Sequence, residues 1–497
     1  MDIKPFMAKF GFGHRASKHI IVEQEGKLWL AFASEGAGMF MMSTGSEASG
    51  LLEIDTLIDG KTIPYTYTAT PSLVELTTEK GKVRIAIDAH ADALRIESDG
   101  ISLRFDSKVA PSGVTTQNMA KGAKISMGGG HFFFAARTGS ISFDDSWLRD
   151  KFHSVQPIVD VAPAKGKIDL VVYDLPADTE PPEIVKALDS CAKENEEDFS
   201  QFVGTLAATP KKWDELREKI AYLLWLSHRK KPGGAEVVLE NKLKSPDIEP
   251  YLLTLASMAF TDVSKAAELI AAYPAKAGLP IQGFAVLRLF EKGMFKNVSR
   301  STVYKLYDLL RAQVAWWSTH RRVDGLYFYA YRHEAQTDTS MLFKSGSPVA
   351  SPDINAYMAI TCKALSKLSE HVLNRPDAAK WNERAETEAD KFVAKSGLLG
   401  MNIYTYEHCQ ADKLISVIPL ILGGLLPPEI SAKLAAKVED DVLSDPLGML
   451  AVLGLCACGH KDAAERIVNA ELNKAQDAAD CPIDGAILLA LAHDVLI

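Results

Sequence analysis

Residues 83–105 read VRIAIDAHADALRIESDGISLRF, and their apolar side chains recur at every second position. Val83, Ile85, Ile87 and Ala89 share one face, Leu94 and Ile96 follow, and Ile101, Leu103 and Phe105 resume after Ser98-Asp99-Gly100. A period of two is that of a half-buried strand and Ser-Asp-Gly is turn chemistry, so the stretch is expected to form an antiparallel meander. Working outward, similar short runs stand at 20–22, 28–33, 131–136 and 168–173, divided by Gly, Ser, Asp and Pro clusters. So many short strands with few helical patterns close most simply as an N-terminal antiparallel β-sandwich over residues 1–180.

From Pro181 onward the apolar period changes to 3.6. An acidic helix is expected over 183–202, within a helical linker of 181–211. Apolar-striped helices are then expected near 212–227, 249–259, 263–273, 281–291, 301–319, 354–371, 376–394, 414–423, 428–438, 447–458, 461–475 and 483–496. Pro280, Ser351-Pro352-Asp353, Pro376-Asp377 and Pro427-Pro428-Glu429 supply start signals. Twelve helices joined by mostly short loops make six antiparallel pairs over residues 212–497. The exception is the connection 321–351, a length that inside a helical domain is either disordered or functional. Four aromatics in its 323–340 stretch argue against disorder.

Composition narrows the partner. Lys plus Arg total 55 against 64 Asp plus Glu, a balance of −9 that opposes binding to nucleic acid or to an anionic membrane surface. No run approaches the roughly 18 apolar residues of a membrane helix, residues 1–20 lack an apolar signal core, and a cytoplasmic protein is expected. The six cysteines are too sparse for a disulfide scaffold and are read as buried thiols. Cys456 and Cys458 lie two apart on a predicted helix and so point in different directions, which favours core cysteines over a metal site. Gly11-Phe12-Gly13-His14 and Gly128-Gly129-Gly130-His131 do not stand between a strand and a helix start, as phosphate cradles do, and hairpin turns are expected there. No cofactor is implied, and the sequence does not speak to oligomeric state.

Aromatic rings beside carboxylates and hydrogen-bonding groups suit a carbohydrate, since rings stack on sugar faces and polar groups read hydroxyls. Asp338 lies centrally in such a run. Glycosidic cleavage needs one carboxylic acid to protonate the leaving oxygen and a second carboxylate to activate water or attack. The alternative is that Glu334 and Asp338 cap loops and pair with Arg332 at the surface.

At Glu334-Ala335-Gln336-Thr337-Asp338-Thr339-Ser340 the chain resembles the Glu-Ser-Gly-x-Asp-x-Ser motif of six-hairpin glycosidases, glycoside hydrolase family 63 and the mannosylglycerate and glucosylglycerate hydrolases. Pro352-Asp353-Ile354-Asn355-Ala356-Tyr357-Met358 is similar to that family's Val-Asp-Leu-Asn-Ala-Tyr-Met segment, and Trp316-Trp317 and Asp324-Gly325-Leu326 match its Trp-Trp and Asp-Gly-Leu elements. The resemblance implies an (α/α)6 toroid with the site at its mouth and Asp338 as general acid. Asp353, Asn355 and Tyr357 then support the site; the alternative, preferred for Asp353, is structural, with Asp353 as the N-cap of its helix and Asn355 and Tyr357 packing. Tyr331, His333, Glu334, Gln336, Asp353, Tyr357, Tyr251 and Trp317 are the expected substrate contacts.

Three segments depart from the family pattern. Its Trp-Asp-x-x-Phe element is replaced by Asp247-Ile248-Glu249-Pro250-Tyr251, where Glu249 and Tyr251 are the substitutes. Gly-Pro-x-Trp becomes Asp445-Pro446-Leu447-Gly448, without its tryptophan. The element that normally carries the base reads Gln476-Asp477-Ala478-Ala479-Asp480-Cys481-Pro482, leaving Asp480, Asp477 and Glu407 as candidates. The expected activity is inverting hydrolysis of a small glycoside or oligosaccharide. Two alternatives stay open: a sugar-binding protein that has lost its base, and a lyase or epimerase using Tyr331, Arg332 and His333.

Overall fold

The computed structural model describes the chain apart from residues 33–50, 108–114, 120–121, 128–129, 145–146, 149–153, 156, 176–184, 231–235, 239–249, 273–277, 373, 397–398 and 479–481. The chain divides into two compact units. One comprises Met1–Gly204, Ala221–Gly234 and Leu239–Asp247, and the other Thr205–Ile220, Ala235–Val238 and Ile248–Ile497.

The first unit is a sandwich of two eight-stranded antiparallel sheets. One sheet runs Phe12–Gly13, His19–Gln24, Lys27–Phe32, Leu52–Ile58, Ser102–Asp106, Ile158–Ala162 and Ser140–Asp144, with Lys61–Ile63 beside Leu52–Ile58. The other runs Thr115–Met119, Gly122–Met127, Gly130–Thr138, Lys167–Asp174, Ala93–Asp99, Lys82–Asp88, Val74–Thr77 and Thr66–Ala69. The expected meander over 83–105 is half right. Lys82–Asp88 and Ala93–Asp99 pair in register, Ile85 opposite Ile96 and Ile87 opposite Leu94. Ser102–Asp106, however, crosses to the other sheet and lies between Leu52–Ile58 and Ile158–Ala162. The turn at Gly100, φ 72°, lets the chain change sheets. Ile101, Leu103 and Phe105 thus reach the core from the opposite side, and the Phe105 ring lies 4.9 Å from that of Phe134. Helix α1 (Leu188–Gly204) covers Lys82–Asp88, where Leu188 and Cys191 pack against Ala86.

Twelve further helices follow among the described residues: α2 (Asp214–Ser227), α3 (Pro250–Ser257), α4 (Val263–Ala272), α5 (Gln282–Glu291), α6 (Arg300–His320), α7 (Pro352–His371), α8 (Arg375–Ser396), α9 (Lys413–Val417), α10 (Pro428–Ala435), α11 (Gly448–Ala457), α12 (Lys461–Ala478) and α13 (Pro482–Leu496). The helix expected over 414–423 is α9 continued by a 3₁₀ segment, Ile418–Leu425. Pro419 has no N–H to continue an α-helix, and Gly423 leaves helical geometry at φ 53°. In the second unit α3, α5, α7, α9 with its 3₁₀ extension, α11 and α13 contact one another in a closed ring, and α4, α6, α8, α10 and α12 pack against them. This is an (α/α)6 toroid. Its sequence basis is plain: α7 and α11 are buried around nearly their whole circumference, whereas α12 keeps a charged face exposed. The starts of α7, α9 and α11 are all bonded to the connection between α6 and α7, so these inner helices begin at one rim.

Small residues let the inner helices approach. A Cβ on Gly283 of α5 would lie 2.5 Å from Thr361 Cα of α7. We predict that Gly283→Leu lowers stability by about 2–3 kcal/mol in urea unfolding, the cost of overpacking a dense interface. An unchanged midpoint would show that the two helices are not held this close.

Candidate active site

The connection between α6 and α7 lies at the rim where inner helices begin. It starts as a hairpin, Arg322–Val323 with Leu326–Tyr329, turning at Asp324 and Gly325, both at positive φ as a two-residue hairpin turn requires. Leu326–Tyr329 continues through Val349–Ala350 and Gly400–Asn402 to His408–Cys409 as a five-stranded sheet. Asn355, in the first turn of α7, grips this hairpin. Its Oδ1 accepts from Tyr327 N at 2.9 Å, and its Nδ2 donates to Tyr327 O at 2.9 Å and to Ser351 O at 2.8 Å.

Three carboxylates organise the segment that carries Asp338. Buried Glu334 accepts from Arg321 Nη2 at 2.9 Å and from the Ala330 and Tyr331 N–H groups at 2.6 and 3.2 Å. Asp445, before α11, accepts from Thr337 Oγ1 at 2.6 Å. Asp412, before α9, accepts from Met341 N and Leu342 N, each at 3.0 Å, and from Ser340 Oγ at 3.3 Å. Asp338 itself is exposed and, among the described residues, accepts from Ser340, N–H at 3.0 Å and hydroxyl at 3.3 Å. Gln336, half-buried in a left-handed conformation, donates to His333 O at 3.0 Å. Tyr331 and His333 are exposed with their rings stacked, centroids 5.6 Å apart.

Asp353 is not the N-cap residue of α7. Ser351 is the N-cap residue, and Asp353, two residues later in the first turn, accepts from the hydroxyls of Tyr329, at 2.8 Å, and Ser351. Burial pushes its carboxyl up to about 6, against these bonds, which favour the ionised form. Burial likewise raises the Tyr357 hydroxyl, helped by Asp353, Asp445 and Tyr251, which places all four groups within electrostatic reach of one another. Tyr251 and Tyr357 are themselves buried. Trp317, expected to contact substrate, is wholly buried, its ring edge-on to Tyr329 at 6.1 Å. It backs the wall that holds Tyr329 and Asp353.

The unfolded Asp353 carboxyl ionises near 3.8 and the folded one near 6, so the folded state is penalised as pH rises from 4 to 6, by roughly 3 kcal/mol once both are ionised. Below pH 4 the penalty is gone. Asp353→Asn is therefore expected to unfold at higher temperature than wild type at pH 8, with the gap closing between pH 6 and 4. A gap independent of pH would contradict this.

Other expected residues are placed elsewhere. Glu407 is exposed in the turn joining Gly400–Asn402 to His408–Cys409, and its carboxylate accepts from Thr405 of the same turn at 3.5 Å. Asp480 and Glu249 lie outside the described residues, as does the side chain of Asp477. Cys456 and Cys458 are half-buried, and no cluster of three or more His, Cys, Asp or Glu able to hold a metal occurs among the described residues. Sequence reading missed Asp412, Asp445 and Tyr329. For Asp445 a signal existed, a carboxylate where the family pattern has glycine.

Residues 279–449 match the family model of the mannosylglycerate hydrolase MGH1-like glycoside hydrolase domain. No curated protein matches the chain. Among solved structures, a bacterial glucoamylase complexed with acarbose is 12% identical, covers 98% of this chain with 93% of its own, and superposes with a TM-score of 0.54. A family GH92 α-mannosidase from Bacteroides thetaiotaomicron is 9% identical over 98% of this chain and 83% of its own, with a TM-score of 0.50. A GH63 mannosylglycerate hydrolase from Thermus thermophilus is 13% identical, covers 55% of this chain with 99% of its own, and has a TM-score of 0.44. The chain has the fold of these glycosidases, a β-sandwich followed by an (α/α)6 toroid, and residues 279–449 match the MGH1-like glycoside hydrolase domain.

Proposed function

We propose that the protein hydrolyses a small glycoside or oligosaccharide with inversion, Asp338 donating its proton to the departing glycosidic oxygen. A second carboxylate takes a proton from water as the water attacks the anomeric carbon from the opposite face, and the bond to the leaving group breaks. One observation carries the reading. Asp338 is exposed at the rim, whereas Glu334, Asp353 and Asp412 around it are buried and bonded within the protein. The reading supplies Tyr331, His333 and Gln336 as substrate contacts, and Asp480 or Glu407 as base.

The family description makes mannosylglycerate the first substrate to try, with glucosylglycerate and short manno- and gluco-oligosaccharides beside it. The balance of −9 opposes a nucleic acid partner, the free cysteines suit a reducing cytoplasm, and no helix among the described residues is long and apolar enough to cross a membrane. Proton NMR of the reaction mixture tests the proposal: one member of the panel should release a sugar whose first-formed anomer is opposite to that of the substrate. Release of the same anomer overturns inversion, and release from no member overturns the substrate class.

A further inference from the structure

We propose that Asp445 is a positioning residue for general acid catalysis, holding the Thr337-Asp338 peptide so that the Asp338 carboxyl faces the leaving oxygen. The proposal rests on the reading of Asp338 as the acid. Its basis is how little else directs that side chain. Asp338 bonds to its near neighbour Ser340, a local Asx turn that travels with the loop, so its direction is inherited from the backbone at 337–340.

That backbone is tied down on both sides by carboxylates from adjacent inner staves. After Asp338, Asp412 takes the N–H groups of Met341 and Leu342 at the start of α9. Before Asp338, Thr337 Oγ1 donates to Asp445 Oδ2 at 2.6 Å, a short bond to a charged acceptor. Asp445 is itself fixed, because its Oδ1 accepts from Leu447 N at 2.9 Å and its carbonyl from Gly448 N at 2.8 Å, in the lead into α11. A Cβ on Gly448 would strike Val442 O at 1.8 Å, so this lead is tightly folded. Gln336, before Thr337, makes a local side-chain bond to His333 O. The Asp445 link therefore registers the N-terminal side of the acid against the lead into α11, beside the Glu334 bonds that hold the preceding turn to Arg321. Losing it lets the acid move by a distance of order 1 Å, which can cost a hundredfold in rate.

The leaving group separates positioning of an acid from other roles. Alkyl and sugar alcohols need protonation to depart, and fluoride does not. The test compares kcat/KM on mannosylglycerate with that on α-mannosyl fluoride, or the glucosyl pair if the substrate panel selects glucose. Asp445→Ala and Thr337→Val should each lower the rate about 30–100-fold on the glycerate and less than threefold on the fluoride. The double variant should be no worse than either single, since both remove the same bond. Asp445→Asn, which keeps an acceptor for Thr337, should recover most of the loss.

Equal losses on both substrates would make Asp445 a base or a purely structural group and overturn the proposal. If Asp445→Ala does not fold, Thr337→Val decides alone by the same criterion. Asp338→Asn separates the two readings. If it lacks the leaving-group signature, the assignment of the acid fails. If it shows the signature and Thr337→Val does not, the positioning role alone fails.

Discussion

Asp338→Asn is expected to slow hydrolysis of an unactivated glycoside by about 10²–10⁴-fold with little change in KM, because a carboxamide has no proton to give to the departing oxygen. The substitution preserves shape. The carboxamide oxygen still accepts from Ser340 N–H, and the side chain is exposed, so the melting temperature should stay close to that of wild type. Loss of rate without loss of stability, read by steady-state kinetics beside a thermal melt, is the signature of a proton donor. A variant that retains wild-type turnover would leave Asp338 a loop-capping residue.

The second large effect concerns stability. Asn355 is 4% exposed and satisfies Tyr327 N, Tyr327 O and Ser351 O with one side chain. In Asn355→Ala the Tyr327 N–H and C=O lose these partners while buried, each at a cost of about 1–3 kcal/mol, whereas Ser351 O keeps the residue-355 N–H at 3.5 Å. Relaxation and entering water recover part of that, so a loss of about 3–5 kcal/mol in urea unfolding is expected. Activity should fall with it, because Asn355 joins α7 to the strand that leads into the Asp338 segment. Another clamp on the hairpin is electrostatic: Arg322 donates to buried Glu388 of α8 at 2.8 Å, and Arg384 lies 3.4 Å from the same carboxylate. A change below 1 kcal/mol would mean that this clamp carries the hairpin without Asn355.

The sequence made some of this visible, and the reasons differ by element. Alternation in 83–105 identified strands because burial on one face demands it, but alternation does not encode which sheet a strand joins. That choice depended on Gly100 and on the partners Leu52–Ile58 and Ile158–Ala162, distant in sequence. The twelve helices were legible because each needs an apolar stripe to bury. The irregularity of α9 lay in Pro419 and Gly423, whose local effect an apolar pattern hides.

At the site, the motif around Asp338 was legible because its residues are contiguous, and the aromatic content of the loop matched its ordered state. Trp317 misled because a tryptophan beside a sugar site suggests stacking, yet it follows Gln313 by one helical turn and both face inward, fully buried. Asp445 was not found because its role depends on a bond to Thr337, 108 residues earlier in the chain. Asp353 shows the same kind of gap: the sequence offered a cap, whereas the fold turns its carboxyl toward Tyr329 and Ser351.

The account stands on where residue 338 meets the substrate. A crystal structure of Asp338→Asn with mannosylglycerate, or with whichever glycoside the panel selects, tests this most directly. The prediction is a carboxamide within about 2.6–3.2 Å of the glycosidic oxygen, with a second carboxylate on the opposite face of the sugar roughly 6.5–9.5 Å away. A glycosidic oxygen that sits beyond hydrogen-bond reach of residue 338, with another acid beside it, would contradict the account.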